Sequence, residues 1–291
     1  MSPAAPGDEG ANLLAWGEQV RRDLPWRATR DPWAVLVSEV MLQQTQVARV
    51  VPKWTEFLRR WPTPVAAAAA PFSEILEVWT GLGYPRRARA LHDTAKVVTA
   101  EFDGRFPGVL DALLGLPGIG PYTARAVLAF AFEQDVGVVD TNIARVLARR
   151  AGRRLTPREA QELADDFVAP GTGWAHNQSL MDLGAMRCRP TPDCDGCPLR
   201  PTCRWAAAGW PEPDPAVGSA GVSGRQAKFE GSDRQGRGRL LRAAAAGPVL
   251  LVDLAEAMGW PDDAARARRV AADLATEGFL ELVEDAYVLA D

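Results

Sequence analysis

The amino-acid sequence predicts a mostly α-helical protein followed by a small tail that mixes helices and strands. Up to about residue 210, apolar residues recur at the spacing of amphipathic helices, and alternating strand patterns are almost absent. A segment rich in Pro, Gly and Ser follows, and beyond it two strand-like runs lie near the C-terminus. With 291 residues, of which 47% are hydrophobic, the chain is long enough for about two domains and a sizeable core.

Charge and composition exclude several classes of protein. The formal net charge of −4 excludes a uniformly basic nucleic-acid-binding protein, although it allows local basic patches. Residues 1–10 lack the charged-then-apolar pattern of a secretion signal, and no apolar run reaches membrane-spanning length. We therefore expect a cytoplasmic protein that does not bind membranes, with a disordered N-terminus over residues 1–10.

Turn-forming residues separate the predicted helices of the main body. Pro-Trp pairs near residues 25 and 32, Thr-Pro at 63–64 and Gly-Leu-Gly at 81–83 lie between apolar helical patterns. The predicted helices span residues 11–22, 34–58 with a break allowed at Pro52, 71–79, 86–102, 122–132, 141–150 and 157–167. The sequence shows no internal repeat, so these elements indicate an all-α body of many short helices.

The tail has a different organisation. Residues 210–224 (WPEPDPAVGSAGVSG) predict a linker. The pattern then predicts helices at 238–246, 250–258 and 262–276 and a hairpin of strands 279–283 and 286–289. This is the element order of a winged helix, so residues 225–291 are expected to form a winged-helix-like domain. Its basic residues at 228–242 and at 266, 268 and 269 allow DNA contact, and a protein-binding or structural role is equally open.

A glycine turn between two predicted helices is a candidate phosphate site. The stretch LLGLPGIGPYTARAV covers residues 113–127, and Gly118 and Gly120 leave its backbone nearly bare. The N–H groups of such a turn lie at the positive end of the next helix, where they can bind phosphate. An ordinary turn is the alternative. The Leu-Pro-Gly-Ile-Gly context resembles the helix-hairpin-helix element that binds the DNA backbone without reading its sequence.

Asp140 follows this turn by twenty residues, within Val-Val-Asp-Thr-Asn at 138–142. Taken by itself, Asp140 is explained as a helix N-cap. A G-x-G hairpin followed at this distance by V-D-x-N also resembles the helix-hairpin-helix, Gly/Pro-Asp superfamily of DNA glycosylases. That resemblance implies an aspartate facing C1′ of a flipped-out nucleotide, where its charge stabilises the oxocarbenium-like sugar. The two interpretations are compatible, because a capping aspartate has a fixed rotamer.

The four cysteines form one cluster, Cys188-x5-Cys194-x2-Cys197-x5-Cys203. In a chain without a secretion signal, such clustering favours a metal site over a disulfide framework. The spacing alone leaves zinc and a 4Fe-4S cluster equally open. The glycosylase resemblance implies a 4Fe-4S cluster, because endonuclease III and MutY-type enzymes carry such a loop just after the catalytic body. The first gap of five residues here is usually six.

Two positions distinguish the members of this superfamily. Glycosylases that also cut the strand have a Schiff-base lysine where this chain has Tyr122. Glu39 lies in the motif SEVMLQQTQ with apolar residues on nearly every side of its helix. We expect its carboxyl to be buried, with the raised pKa that a general acid needs. The ordinary alternative is a glutamate at a helix end or paired with an arginine.

Together these residues resemble the MutY-type adenine DNA glycosylase family from about residue 24 to 203. The motifs that carry the resemblance are LPWR (24–27), SEVMLQQTQV (38–47), WTGLGYPRRARALH (79–92), LPGIGPYT (116–123), VDTNIARVLAR (139–149), NQSLMDLGAM (177–186) and the four cysteines. The resemblance implies two helical subdomains. Residues 11–33 and 141–209 would carry the iron–sulfur loop, and residues 34–140 the helix-hairpin-helix.

The resemblance also implies a reaction, the hydrolytic removal of adenine mispaired with 8-oxoguanine or guanine in double-stranded DNA. Glu39 would protonate N7 of the flipped adenine, and Asp140 would stabilise the developing cation electrostatically or through a transient covalent adduct. Tyr122 would hydrogen-bond to or shield that site, and Asn142 would help to order the aspartate and the incoming water. The enzyme would be a monomer associated with the nucleoid.

Further residues are implied in binding DNA. Trp26 and Arg27 would line the adenine pocket with Gln178 nearby, Gln44 and Tyr84 would wedge into the duplex, and Thr45 belongs to the adjoining motif. Positive charge would come from Arg86, Arg87, Arg89, Arg145 and Arg149. An arginine cluster on a helix is otherwise a solvated face.

Three departures from the family pattern leave alternatives open. Pro85 replaces a common tyrosine, Thr141 replaces a common glycine, and the tail is too short and too helical for the Nudix-like domain of many MutY-type enzymes. One alternative is another base specificity on the same scaffold, such as thymine or uracil mismatches or an endonuclease III-like activity. A second is a non-catalytic DNA-binding iron–sulfur protein.

Overall fold

The computed structural model describes residues 6–219 and 228–291, and helices dominate this part of the chain. The helices are α1 (Pro6–Val20), α2 (Pro32–Leu42), α3 (Val47–Arg60), α4 (Pro64–Ala69), α5 (Phe72–Trp79), α6 (Arg86–Glu101), α7 (Leu110–Leu114), α8 (Pro121–Phe130), α9 (Thr141–Ala151), α10 (Pro157–Phe167), α11 (Gly173–Met186), α12 (Arg204–Ala207), α13 (Asp233–Ala246), α14 (Leu254–Met258) and α15 (Ala264–Thr276). The strands are β1 (Val249–Leu250), β2 (Leu280–Val283) and β3 (Ala286–Leu289). The predicted mostly α fold is confirmed. No helix among the described residues has the length and apolar character that crossing a membrane requires.

The contacts divide the chain into two compact units. The first comprises the described parts of Met1–Val35, Gly108–Leu114 and Ile119–Arg225, and the second those of Leu36–Pro107, Gly115–Gly118 and Gln226–Asp291. The family resemblance implies one subdomain over residues 34–140. The structure instead groups residues 119–140 with the first unit, because α8 packs against α11. The tail is grouped with residues 36–107, because α13 packs against α5.

The core of the first unit surrounds α9. Helix α11 packs against α1 and α9, and buried apolar side chains from these helices, among them Leu13, Ile143 and Leu180, fill the space. Asp140 caps the N-terminus of α9, and Gly152 ends it in the left-handed conformation. The cap places Asp140 at the start of a helix whose residues are mostly buried.

Helix α11 is an element that the sequence prediction missed. Its buried positions include Leu180 and Leu183 but also His176, Asn177, Gln178 and Asp182. Since the polar residues point inward as well, the helix has no apolar stripe at helical spacing. The motif NQSLMDLGAM is therefore informative as a pattern of residues and not as a periodicity.

Helix α1 begins earlier than predicted. It starts at Pro6, so residues 6–10 are helical rather than disordered, and residues 1–5 lie outside the described part of the chain. The buried carboxylate of Glu9 accepts two hydrogen bonds from the Arg150 guanidinium and one from Thr202 Oγ1. These bonds hold the first turns of the helix in place.

The helix predicted at 34–58 is two helices, α2 and α3. The break lies at residues 43–46 and not at Pro52, because Gln44 adopts a left-handed backbone conformation with φ 56°. Pro52 lies inside α3, where it removes one backbone donor without ending the helix. The break exposes Gln44 at a tight turn.

The segment predicted as a linker, 210–224, is packed in its described part. Asp214 forms an ion pair with the buried Arg149, and Ser219 Oγ accepts a hydrogen bond of 3.1 Å from the Leu155 N–H. Ala216 is buried as well. Residues 211–219 therefore belong to the first unit, and residues 220–224 lie outside the described part of the chain.

The tail has the predicted winged-helix-like architecture. Helices α13, α14 and α15 pack with a three-stranded antiparallel sheet in the order β1-β3-β2. Val249 pairs with Tyr287, and Leu280 pairs with Leu289. Two details differ from the prediction. Helix α13 begins at Asp233, capped by Ser232, and Leu250 belongs to β1 instead of α14.

Candidate active site and cysteine cluster

Asp140 is held in one orientation by the first turn of α9. Its Oδ1 accepts a hydrogen bond of 2.7 Å from the Ile143 N–H, and its Oδ2 accepts one of 3.0 Å from Asn142 Nδ2. The N-terminus of a helix also favours a negative charge through its dipole. The N-cap interpretation of Asp140 is therefore correct, and it leaves the carboxylate fixed and polarised.

The environment of Asp140 has opposing effects on its charge. Burial raises the pKa of the Asp140 carboxyl above its ordinary value of 3.8, whereas the donors from Ile143 and Asn142 act in the lowering direction. The positive charge of Arg145 also acts to lower it. An ionised carboxylate in such poorly solvated surroundings interacts strongly with any positive charge that forms near it.

A chain of hydrogen bonds continues from Asp140 into the interior. Arg145 donates to Asn142 Oδ1 at 2.9 Å, to the Gly184 carbonyl at 2.7 Å and to the Cys188 carbonyl at 2.5 Å. A Cβ on Gly184 would lie 2.6 Å from the Cβ of Asn142, so only glycine fits there. The position of Asn142 is thus set from two sides.

Arg145 and Arg149 do not supply the surface charge that was predicted for them. Their residues are 7% and 2% exposed. Arg149 donates to Asp214, to the carbonyls of Arg189 and Pro190 and to Cys188 Sγ at 3.4 Å. Because these donors are taken up by acceptors within the protein, both arginines stabilise the α9 and cysteine region.

The four cysteines are free thiols, all half-buried, and line one common cavity. Burial raises the pKa of the Cys188 and Cys203 thiols and raises that of Cys197 to about 11. Thiols in such surroundings become thiolates when a bound metal group supplies the compensating charge.

The donor set fits an iron–sulfur cluster. Four soft sulfur ligands suit either zinc or a cluster. Among the described residues, no three His, Cys, Asp or Glu side chains form a group that could hold a metal ion. Four thiols that line one cavity, with the Arg149 guanidinium against Cys188, are compatible with an iron–sulfur cluster.

Trp26 and Arg27 lie in a short 3-10 turn and are both buried. The Arg27 guanidinium makes two parallel hydrogen bonds to the Asp182 carboxylate at 2.8 and 2.9 Å. This ion pair, together with Arg22, lowers the pKa of the fully buried Asp182. Arg27 is therefore anchored to α11.

Gln178 is buried on α11 next to a residue that sequence analysis missed. Asn177 Oδ1 accepts a hydrogen bond of 2.9 Å from the Val138 N–H, and Asn177 Nδ2 donates to the Val136 carbonyl at 2.9 Å. These bonds fix the segment that leads into Asp140. Asn177, Asp182 and Gly184 lie in the motif NQSLMDLGAM, which supported the family resemblance. That motif is the sequence feature that could have identified them as site residues.

Glu39 belongs to α2 in the second unit. Its residue is 6% exposed, and Val37, Val40 and Met41 beside it are buried too. The expected burial of this carboxyl is therefore observed. Local sequence explains it, since α2 is apolar on all sides and must be enclosed.

Arg87 forms a clamp on the end of α2, and the DNA contact predicted for it stays a prediction. Its guanidinium donates to the carbonyls of Val40, Met41, Gln43, Leu82 and Gly83. It also donates to Thr45 Oγ1 at 3.3 Å, so the predicted DNA contact Thr45 is part of the same clamp. Burial lowers the pKa of Arg87 to about 10. The clamp holds the turns at Gln44 and Tyr84, which both have a left-handed backbone.

Arg89 and Arg86 also have internal partners. The Arg89 guanidinium lies 3.5 Å from the centre of the Phe72 ring and donates to the Gly278 carbonyl. It therefore helps to fix the tail. The Arg86 side chain is 77% exposed, and its Nε donates to Glu277 at 3.2 Å.

The two glycines of the turn have different roles. Gly118 has φ 70°, and a Cβ there would lie 2.5 Å from the Cβ of Ala90. Both the backbone conformation and the contact with Ala90 therefore require glycine at this position. Gly120 caps α8 and has open space where a Cβ would be. An approaching group can therefore reach the bare backbone at Gly120. Tyr122 is half-buried in the first turn of α8.

Comparisons with known proteins identify the superfamily. Residues 37–170 match the HhH-GPD superfamily base excision DNA repair protein model. The adenine DNA glycosylase of Mycolicibacterium smegmatis is 42% identical over 281 residues, covering 94% of this chain and 92% of that protein. The adenine DNA glycosylase of Homo sapiens is 43% identical over 209 residues, covering 66% of this chain and 38% of that protein.

Solved structures give the same fold. A thermostable thymine-DNA glycosylase aligns with a TM-score of 0.66 at 32% identity, covering 70% of this chain and 97% of that one. An endonuclease III in a non-covalent DNA complex aligns with a TM-score of 0.59 at 23% identity, covering 71% of this chain and 98% of that one. The second likeness concerns the fold alone.

Proposed function

The chain belongs to the MutY-type adenine DNA glycosylases of the HhH-GPD superfamily of base excision DNA repair proteins, and on that premise we propose that it excises adenine mispaired with 8-oxoguanine or guanine. The substrate is double-stranded DNA in the nucleoid of the cytoplasm, and the enzyme acts as a monomer. It hydrolyses the N-glycosidic bond and does not cut the strand. The observation that carries this proposal is the fixed, half-buried Asp140 in a chain so similar to adenine glycosylases.

Asp140 stabilises the positive charge that forms on the deoxyribose as the base leaves. Its ionised carboxylate needs no reorganisation, because Ile143 and Asn142 already hold both oxygens. Asn142, itself fixed by Arg145, orders the aspartate and the attacking water. Tyr122 shields the sugar at the position where a strand-cutting relative has its lysine.

Glu39 acts as the general acid. Its buried carboxyl delivers a proton to N7 of the flipped adenine. Trp26 and Gln178 line the adenine pocket, and Arg27 holds it through Asp182. Flipping the base costs a few kcal/mol and is easiest at a mispair, which contributes to selectivity.

The remaining residues bind the duplex and the cofactor. The backbone at Gly118 and Gly120 binds phosphate, while Gln44 and Tyr84 wedge into the duplex at the lesion. Cys188, Cys194, Cys197 and Cys203 hold a 4Fe-4S cluster. When bound, the cluster ties residues 188–203 into one folded loop and supplies the charge that keeps the thiols deprotonated.

A second specificity has one observation in its favour. The thymine-DNA glycosylase structure is 32% identical and aligns over most of its length. Excision of thymine or uracil from mispairs with guanine is therefore the competing function. Glu39 favours adenine as the substrate. It is proposed to donate a proton to N7, and pyrimidines have no such atom.

Two variants test the catalytic pair. We expect Asp140→Asn and Glu39→Gln each to lower single-turnover adenine release from an A:8-oxoguanine duplex by about a hundredfold or more while leaving DNA affinity intact. The exposed carboxylate of Asp23 provides the matched control, and Asp23→Asn should behave as wild type. Variants that bind DNA weakly and melt early would instead assign Asp140 and Glu39 to folding.

A further inference from the structure

The second unit contains an open groove to which the main body and the tail both contribute. Its volume is about 1010 Å³. From the main body it is lined by the turn at Gln44 and by residues 79–86, and from the tail by one face of α13. The tail therefore forms one side of the groove, and the proposed wedge residues lie on the other side.

The groove carries a concentrated positive charge. Its lining includes six arginines and a single acidic residue, Glu277. The arginines are Arg49, Arg86, Arg234, Arg237, Arg239 and Arg242. Since the whole chain has a net charge of −4, this is a strong local segregation of charge. Such a surface attracts a polyanion.

The partners of these arginines leave much of that charge available. Glu277 is shared between Arg86 and Arg237. Arg49 and Arg242 are exposed, and in the described part of the chain neither has a carboxylate within ion-pair distance. Arg234 donates to Tyr84 Oη at 3.1 Å, which connects α13 directly to a wedge residue.

A glycine in α13 gives an independent indication of a ligand. Gly236 is explained by packing, because a Cβ there would lie 2.1 Å from the Trp260 ring. Gly238 lies in the middle of the same helix and lines the groove, and a Cβ there would meet nothing within 4 Å. Glycine weakens a helix. A bare backbone facing an open, basic groove allows a phosphate chain to approach closely.

Helix α15 holds the place of the recognition helix in a winged helix, but two of its arginines have acidic partners within the tail. Arg266 and Arg269 both pair with Asp233, and Arg266 also stacks at 4.0 Å over the Trp260 ring. Arg269 also pairs with Asp273, so two carboxylates of the tail balance these two arginines. Arg268 is exposed on the same helix and serves as a matched control.

We propose that α13, and not α15, is the DNA-binding element of the tail, and that it forms a single phosphate-binding groove with the turns at Gln44 and Tyr84. The occupant is the backbone of duplex DNA, contacted without sequence readout. The inference rests on the proposed function only for the identity of the ligand. It gives the tail a role in affinity and in orienting the duplex on the catalytic body.

The test is the salt dependence of DNA binding by the full-length protein, measured by fluorescence anisotropy with a short duplex. Arg242→Gln and Arg49→Gln should each weaken binding severalfold on mispaired and on matched DNA alike. Each should also reduce the slope of log K against log salt by about one. Arg268→Gln should change neither quantity.

Gly238→Gln tests the close approach of the backbone without altering charge. Glutamine is a better helix former than glycine, so the melting temperature should stay or rise while DNA affinity falls severalfold. An unchanged affinity would remove the argument from Gly238.

Two results would overturn the proposal. A reduced slope in Arg268→Gln with none in Arg242→Gln would assign DNA binding to α15. Displacement of the duplex from the groove by a polyglutamate peptide of equal charge, at equal concentration, would assign the groove to an acidic protein. Adenine release by the wild type is measured in the same preparations. If no base is released, the proposed function fails, whereas the binding slopes still decide the role of α13.

Discussion

The arginines near Asp140 and the arginines of the α13 groove are the same residue type in opposite circumstances. Arg145 and Arg149 are buried, and their donors are used by backbone carbonyls, by Asp214 and by Cys188. Arg49 and Arg242 are exposed beside an open groove. The first pair fixes groups in place, and the second pair presents charge to solvent.

This difference indicates how the molecule separates its tasks. The region of Asp140 needs exact positions, and buried charge-assisted hydrogen bonds supply them at the cost of making the arginines unavailable to a ligand. The groove needs available charge, which requires side chains that remain solvated. Net charge and arginine count along the sequence do not distinguish the two.

The largest expected effect is a loss of stability when a buried arginine is replaced. Arg145→Met leaves Asn142 Oδ1 and the carbonyls of Gly184 and Cys188 without this donor, so unfolding free energy should fall by about 3 kcal/mol. Arg242→Met, the exposed counterpart, should change it by less than about 0.5 kcal/mol. Urea unfolding of both variants measures the contrast. Equal stability losses would mean that burial does not separate the two sets.

A smaller effect should appear in the pH dependence of base release. Asp140 acts in its ionised form, and its pKa lies above the ordinary 3.8, so the single-turnover rate should fall as pH decreases through that raised value. Asn142→Ala removes a donor to the carboxylate and should move the acid limb to higher pH. DNA affinity should show no matching shift, because arginines do not titrate there. An acid limb unmoved by Asn142→Ala would contradict the assignment.

The smallest effect is a gain of chemistry. Tyr122→Lys places an amine at the first turn of α8, and a weak strand-cleaving activity should appear beside the original hydrolysis. Borohydride should trap a covalent DNA adduct in this variant and not in Tyr122→Phe. Absence of any adduct, with adenine release preserved, would mean that Tyr122 does not correspond to the lysine position of the strand-cutting relatives.

Sequence patterns predicted the elements whose signal is local. The glycine hairpin, the Asp140 cap, the apolar helix around Glu39 and the winged-helix order of the tail each depend on neighbouring residues, and the structure has each of them. The break at Gln44 was misplaced to Pro52, because a left-handed glutamine has no sequence signature.

Features that depend on distant partners escaped prediction. The Arg87 side chain is held by carbonyls at the end of α2, which lie more than 40 residues away in sequence. The packing of residues 211–219 depends on Arg149 and Leu155. Helix α11 gave no periodic signal because its polar residues also point inward. Long-range partners of this kind cannot be inferred from composition or spacing.

The most direct test of the central claim is base release from a panel of duplexes containing A:8-oxoguanine, A:G, A:C, T:G and U:G. The purified protein is incubated with each duplex, and the strands are analysed with and without alkali. We expect free adenine from the adenine mispairs, with strand breaks that appear only after alkali. Release of thymine or uracil, strand breaks without alkali, or no base release at all would contradict it.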